Sequence, residues 1–144
     1  MNPEFEECLK RGKIKEFSRG KALANKELNT AEFDLNRAKK SFQDGDYKWA
    51  TIQMYYSMFH SGRALLYNQN LRERSHWCLI IALRTLYVEK GLLSGILIEA
   101  LVKAKNLRED ADYYDRWSKE GCEKLLSQAE EFFTKSKQII SSKK

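Results

Sequence analysis

Residues 47–67, with the sequence YKWATIQMYYSMFHSGRALLY, are the stretch that decides the fold. When they are placed on a helical wheel, apolar side chains occupy more than half of its circumference. The apolar arc consists of Trp49, Ile52, Met54, Tyr55, Tyr56, Met58, Phe59, Leu65 and Leu66. A helix with so wide an apolar surface must be covered on several sides. We therefore predict that it lies at the centre of a helical bundle, at a dimer interface, or at both.

The remaining arc of this helix is a polar stripe of Gln53, Ser57, His60 and Ser61. Two interpretations remain open. In the first, the two serine hydroxyls donate to carbonyls one turn earlier, while Gln53 and His60 reach solvent or a hydrogen-bonding partner. In the second, the stripe lines a groove that holds a ligand or a partner chain, and Gln53, Ser57 and His60 contact it.

Helical periodicity continues on both sides of this stretch. We predict helices over about 25–43, 47–67, 75–91, 94–108 and 118–140, with breaks at Asp44-Gly45-Asp46 and Asn68-Gln69-Asn70 and an irregular link over 109–117. Residues 1–20 are predicted to be a weakly structured extension with one short helix. No window alternates polar and apolar residues, so no sheet is expected. Short connections make successive helices antiparallel. The prediction is one all-α domain over 1–144, an up-and-down bundle of four to five helices spanning about 25–140.

Composition is typical of one globular domain, with 42% hydrophobic and 32% charged residues among 144. The longest apolar run, 77–83, is far shorter than the roughly 20 residues that cross a bilayer. The acidic N-terminus does not resemble a signal peptide. We therefore expect a soluble, cytoplasmic protein that does not associate with membranes.

The three cysteines, Cys8, Cys78 and Cys122, are an odd number at wide spacings. They match no metal-ligand pattern, and we expect reduced thiols packed in the interior. No metal site and no cofactor are predicted.

The net charge of +6 is compatible with binding RNA or another polyanion. His76 falls in the first turn of the third helix, after Arg72 and Arg74. One interpretation is a packing histidine whose ring nitrogens find backbone partners. The other is a general acid or base assisted by arginine, as metal-independent ribonucleases use. Farther along, Arg108 and Asp112 are four residues apart, and we expect them to form a salt bridge or to close the following loop.

The segment from Ala50 to Leu66 resembles the signature helix of HEPN domains (higher eukaryotes and prokaryotes nucleotide-binding). The resemblance rests on Tyr55-Tyr56, Phe59-His60 and Ala64-Leu65-Leu66, together with Ser75-His76 and the late run from Arg108 to Tyr113. It covers about residues 25–140. The family fold that it implies is an antiparallel bundle of four or five helices that commonly forms a homodimer.

The resemblance also bears on activity. HEPN ribonucleases have an arginine followed by a histidine after four to six residues, with two such motifs meeting across a dimer. Here three residues separate Arg72 from His76, and Gln53 occupies a position that is often arginine. HEPN proteins without the motif resemble non-catalytic partners of small nucleotidyltransferases in toxin–antitoxin-like pairs.

Two functional hypotheses follow, and a structural dimer with no ligand is a third. The first is a non-catalytic dimeric module that engages a nucleotidyltransferase, a nucleotide or an RNA. Its binding residues would be Gln53, Ser57, His60, Tyr56, Arg108, Asp112 and Tyr113. The second is a metal-independent endoribonuclease that uses His76 with Arg72 or Arg74 across a dimer. The sequence favours the first because the arginine–histidine spacing differs from the ribonuclease motif.

Overall fold

Helices make up most of the computed structural model, which describes residues 2–142. In chain order the elements are α1 (Pro3–Lys10), β1 (Ile14–Glu16), α2 (Gly20–Gln43), α3 (Tyr47–Tyr67), β2 (Leu71–Glu73), α4 (His76–Leu83), α5 (Gly95–Tyr113) and α6 (Lys119–Ser141). A π-helical segment, Arg84–Val88, continues α4. The predicted all-α helical bundle is confirmed.

A capping side chain lies at the start of four of the predicted helices. Asp46, Ser75, Ser94 and Ser118 each accept a hydrogen bond from a backbone amide in the first turn of the helix that follows. These bonds satisfy amides that have no partner within the helix. The bounds of α3 match the predicted 47–67.

Helix α3 is the centre of the bundle, because it packs against α2, α5, α6 and α4. Its side chains Met54, Met58, Leu65 and Leu66 are fully buried. Most of the wide apolar arc is thus covered by helices of the same chain, while Trp49 at the start of α3 is exposed. This confirms the central position predicted from the wheel.

Three helix boundaries differ from the prediction. Helix α2 begins at Gly20 rather than near Asn25, because Ala24 extends its buried stripe by one turn. Helix α5 runs through the predicted irregular link as far as Tyr113, because Ala111 faces the core and is fully buried. The predicted third helix ends at Val88, and Gly91 lies in the turn that follows with a φ of 75°.

A two-stranded antiparallel sheet corrects the expectation that the chain has no strands. β1 pairs with β2 in a register that sets Ile14 opposite Glu73 and Lys15 opposite Arg72. Each strand has three residues, which is too short to show alternation in the sequence. The pairing fastens the N-terminal extension to the turn between α3 and α4.

The cysteine prediction was wrong for two of the three residues. Cys8 on α1 and Cys78 on α4 form a disulfide, with their Cα atoms 5.8 Å apart. Seventy positions separate them, so no local spacing signals the bond. Cys122 is a free, buried thiol, and burial raises its pKa. The disulfide holds α1 against the start of α4.

Within residues 2–142, no helix is both long enough and apolar enough to cross a membrane.

Candidate functional site

The polar stripe of α3 faces α2, which bears on the two interpretations left open for it. Ser57 is fully buried, and its hydroxyl donates to the carbonyl oxygen of Ala31 at 2.8 Å. Ser61, also fully buried, donates to the carbonyl of Ser57, one turn earlier, at 2.9 Å. A ligand could reach these hydroxyls only if α2 moved away.

The other two stripe residues also have partners on α2. Gln53 forms a 2.8 Å hydrogen bond with the hydroxyl of Ser41. His60 places Nδ1 2.5 Å from a carboxylate oxygen of Glu27, and its Nε2 lies 3.9 Å from Asp34. The structure thus agrees with the interpretation in which the stripe is satisfied internally, except that Ser57 donates to α2 and not to a carbonyl one turn earlier on α3. It brings Gln53, Ser57 and His60 together, but on a face covered by α2.

A basic cleft lies beside the small sheet and has a volume of about 650 Å³. It is lined by Lys13, Phe59, Arg63, Arg72, Glu73, Arg74, Ser75 and His76. Strand pairing builds it, since the amide of Arg74 donates to the carbonyl of Lys13 at 2.7 Å. The three catalytic candidates Arg72, Arg74 and His76 therefore share one cleft. The sequence missed Lys13 and Arg63, because only strand pairing and the packing of α3 bring them to the cleft.

One of the four cations in the cleft is already neutralised. Arg63 donates to Glu73 through Nη2 at 2.6 Å and through Nε at 3.1 Å. The Glu73 side chain is only 5% exposed, so the pair fixes β2 to α3. The guanidinium of Arg72 lies over the ring of Phe17 at 5.2 Å. Arg72 and Arg74 are exposed, and their charges are available to an anion.

His76 lines the same cleft, but its ring nitrogens face the protein. Nδ1 lies 3.4 Å from the hydroxyl of Tyr55, and Nε2 is buried without a hydrogen-bond partner among the described residues. Burial, and then the positive charge of Lys105, lower the pKa of His76 to about 4. The imidazole is therefore neutral near pH 7. A neutral ring with a buried Nε2 is poorly placed to exchange a proton with a ligand in the cleft.

This pKa shift predicts a pH dependence of stability. The unfolded chain protonates His76 near its ordinary pKa of 6.5, whereas the folded chain does so only near 4. The free energy of unfolding should therefore be highest above pH 6.5 and fall as the pH falls towards 4. We expect a loss of about 1–2 kcal/mol, since partial exposure of the ring reduces the full linkage effect. Urea unfolding near pH 7 and near pH 4.5 measures it.

The variant His76→Gln is the control for this prediction. It removes the titrating ring and leaves every other ionisable side chain in place. The pH dependence should shrink in the variant. An equal pH dependence in both proteins would contradict the assignment to His76.

A second cluster forms where α3 meets the C-terminal end of α5. Arg108 donates to the hydroxyl of Tyr56 at 2.8 Å and lies 3.5 Å from a carboxylate oxygen of Asp112. Its guanidinium also lies 5.2 Å from the ring centre of Tyr113. The structure thus brings together Tyr56, Arg108, Asp112 and Tyr113, four of the seven predicted binding residues. The predicted salt bridge is present, within the extended α5.

Potential metal ligands do not cluster in the described part of the chain. No three His, Cys, Asp or Glu side chains of residues 2–142 are placed to hold a metal ion together.

Comparison with known proteins identifies the family. The sequence profile of the HEPN domain matches residues 24–139. The chain belongs to the HEPN family. The match covers α2 to α6 almost completely and leaves out α1 and β1, so the N-terminal extension that contributes Lys13 to the cleft lies outside the matched HEPN segment.

Three archaeal proteins illustrate the relationship of this HEPN chain to others. It is 33% identical over 129 residues to "Putative toxin MJ0605" of Methanocaldococcus jannaschii, covering 83% of this chain and 96% of that protein. It is 33% identical over 116 residues to a "UPF0332 protein" of Archaeoglobus fulgidus, covering 79% of this chain and 92% of that protein. It is also 30% identical over 127 residues to "Putative toxin MJ0142" of Methanocaldococcus jannaschii, covering 87% of this chain and 86% of that protein.

Proposed function

We propose that this HEPN chain is a toxin-like binding module whose basic cleft holds the phosphate backbone of an RNA without cutting it. The observation that carries the proposal is the convergence of Lys13, Arg72 and Arg74 on one cleft. Two relatives have the word toxin in their names, which supports the toxin-like role.

The cations of the cleft suit phosphate rather than a single carboxylate. Arg72 and Arg74 carry planar guanidinium groups that can each bind two phosphate oxygens. Glu73 pairs with Arg63, so Lys13, Arg72 and Arg74 supply the free positive charge. An open cleft with three such cations accommodates a chain of phosphates. RNA is the polyanion that best fits the net charge of +6 and the family.

The inward-facing ring of His76 favours binding over cleavage. In-line cleavage of RNA needs a group that takes the 2′-hydroxyl proton and another that protonates the leaving oxygen. Nε2 of His76 is buried and Nδ1 lies beside the hydroxyl of Tyr55, so neither ring nitrogen faces the cleft for either step. The module is therefore proposed to act without its own catalytic group.

The proposed function also includes a homodimer, a second protein as partner and a location in the cell. We propose that the chain is one domain that forms a homodimer, as the HEPN resemblance implies, and that it acts in the cytoplasm. A small nucleotidyltransferase is the proposed second protein of a toxin–antitoxin-like pair. Co-purification of the two proteins would test that partnership directly.

Removal of two cleft cations should weaken RNA binding. In Arg72→Ala/Arg74→Ala we expect the dissociation constant for a fluorescent twelve-nucleotide RNA to rise by about tenfold or more. The slope of log affinity against log salt should become shallower by about 1.4, at roughly 0.7 for each lost phosphate contact to a single strand. Fluorescence anisotropy at several salt concentrations measures both quantities.

The matched control is Lys124→Ala/Lys135→Ala, which removes two exposed charges from α6, away from the cleft. Long-range electrostatics alone would make the two double variants equivalent. If they do lose affinity equally, or if the wild type binds no RNA, the cleft is not the binding site.

A ribonuclease is the second candidate, because Arg72, Arg74 and His76 line the same cleft. If a dimer or a bound RNA turned the ring of His76 outward, the three side chains would form the arginine-assisted set expected of a metal-independent enzyme. Incubation of the protein with several RNAs in EDTA distinguishes the two functions. Cleavage that His76→Gln abolishes would replace the binding proposal with this one.

A further inference from the structure

Four large aromatic side chains are exposed near the start of α3 and the link between α5 and α6. We call them the aromatic platform: Trp49, Tyr113, Tyr114 and Trp117, each between 47% and 64% exposed. Most large aromatic residues of a folded domain are buried at least in part, and clustered exposed ones mark sites of interaction. None of the four belongs to the buried core of the bundle.

Positive charges alternate with these rings. The ammonium group of Lys48 lies 5.6 Å from the ring centre of Trp49 and 5.9 Å from that of Trp117, so it connects the two tryptophans. Arg116 lies 5.6 Å from the ring centre of Tyr114. Such distances allow cation–π attraction, which orients the rings while leaving much of their surface exposed.

Carboxylates limit the net charge of the platform. Asp115 bonds to Lys48 at 3.2 Å, and Asp112 lies 3.5 Å from Arg108. The platform therefore differs in kind from the basic cleft, where the charges of Arg72, Arg74 and Lys13 dominate. Its ligand must be recognised mainly through flat apolar surface.

Helix α3 connects the platform to the cleft along the protein surface. Trp49, Tyr56 and Phe59 lie on one face of α3, none of them is buried, and Phe59 lines the cleft. Phe59 follows Trp49 by ten positions, which is about 15 Å along a helix. A strand of a few nucleotides can span this distance, since an extended nucleic acid strand advances by several ångströms at each nucleotide.

We propose that the aromatic platform stacks unpaired bases of an RNA strand whose phosphates lie in the basic cleft. This inference rests on the proposed function and adds that the RNA is single-stranded. Aromatic rings interleaved with cations are the means by which proteins bind single strands without reading their sequence. Base pairs in a duplex are stacked already and present no free face, so a duplex cannot use the platform.

The test compares Trp49→Ala/Trp117→Ala with wild type in anisotropy titrations of a twelve-nucleotide oligouridine. We expect the variant to bind about tenfold or more weakly, because each lost stacking contact weakens binding severalfold. The slope against salt should stay that of the wild type, since no cation of the cleft is lost. A duplex RNA of equal length should bind both proteins with the same affinity.

The matched control is Phe33→Ala. Phe33 is 60% exposed on α2 and has the guanidinium of Arg37 over its ring at 5.6 Å, so it is an equivalent aromatic–cation pair outside the platform. Its loss should leave the affinity for oligouridine unchanged. A direct second readout is quenching of tryptophan fluorescence in a Trp77→Phe background, where Trp49 and Trp117 are the remaining tryptophans.

The outcomes separate the two proposals. If the wild type binds no RNA, both proposals fail. If it binds RNA and the tryptophan variant binds equally well without altered quenching, only the platform proposal is overturned. If sedimentation shows that the tryptophan substitutions turn a dimer into a monomer, the platform is an interface between copies of the chain and the RNA proposal for it is wrong.

Discussion

Loss of the disulfide is expected to lower the free energy of unfolding by about 4 kcal/mol. Cys8 and Cys78 are 70 positions apart, and a covalent link that closes so long a loop removes much of the entropy of the unfolded chain. The variant Cys8→Ala/Cys78→Ala should therefore unfold at a markedly lower urea concentration. For a domain of this size we also expect a melting temperature lower by about 10–15 °C.

Wild-type protein treated with a reductant provides the first comparison, because it should approach the stability of the double variant. The second is Cys122→Ala, which removes the buried free thiol and leaves the disulfide in place. The free energy of unfolding of this variant should be lower than that of wild type by about 1 kcal/mol, as expected when a small cavity is created. If the Cys8/Cys78 variant is as stable as wild type, α1 does not depend on the covalent link.

Replacement of Arg63 by methionine is expected to destabilise the protein by about 2–3 kcal/mol. Glu73 would remain almost fully buried with its main charge partner gone, and an unpaired buried carboxylate is costly. The expected loss is smaller than the roughly 3–5 kcal/mol usual for a fully buried pair, because the Arg63 side chain is 29% exposed. Urea unfolding near pH 7 measures the loss, and the two-stranded sheet should open first.

The double variant Arg63→Met/Glu73→Leu tests the cause. When both partners become apolar, no buried charge is left, so most of the lost stability should return. A double variant that is less stable than Arg63→Met alone would show that Glu73 does not need Arg63, and the explanation would be wrong.

The fold could be predicted largely because its signals are local. Helical periodicity predicted four helices whose starts the structure caps with the side chains of Asp46, Ser75, Ser94 and Ser118. The errors lie where distant segments meet. Neither the pairing of Lys15 with Arg72 nor the bond between Cys8 and Cys78 leaves a pattern within one window of sequence.

The candidate site could be predicted only in part, for the same reason. Arg72, Arg74 and His76 are close in sequence, so their meeting in one cleft follows from local structure. The polar stripe on α3 was visible from helical geometry, but a wheel does not reveal which neighbour covers a face. Here α2 covers it through the bond from Ser57 to Ala31. The platform was missed because Trp49 and Trp117 come together only through the folded link before α6.

An RNA bound at the basic cleft beside the small sheet would change the surroundings of the backbone amides that build the cleft. A titration of ¹⁵N-labelled protein with a short single-stranded RNA, followed by amide NMR spectra, locates the bound RNA. The largest shifts should occur at residues 13–16 and 71–76, while the amides near Ser57 and Ala31, where α2 contacts α3, change little. If RNA binds and the largest shifts lie along the α2–α3 contact, or if no amide of 71–76 responds, the basic cleft is not the RNA-binding site.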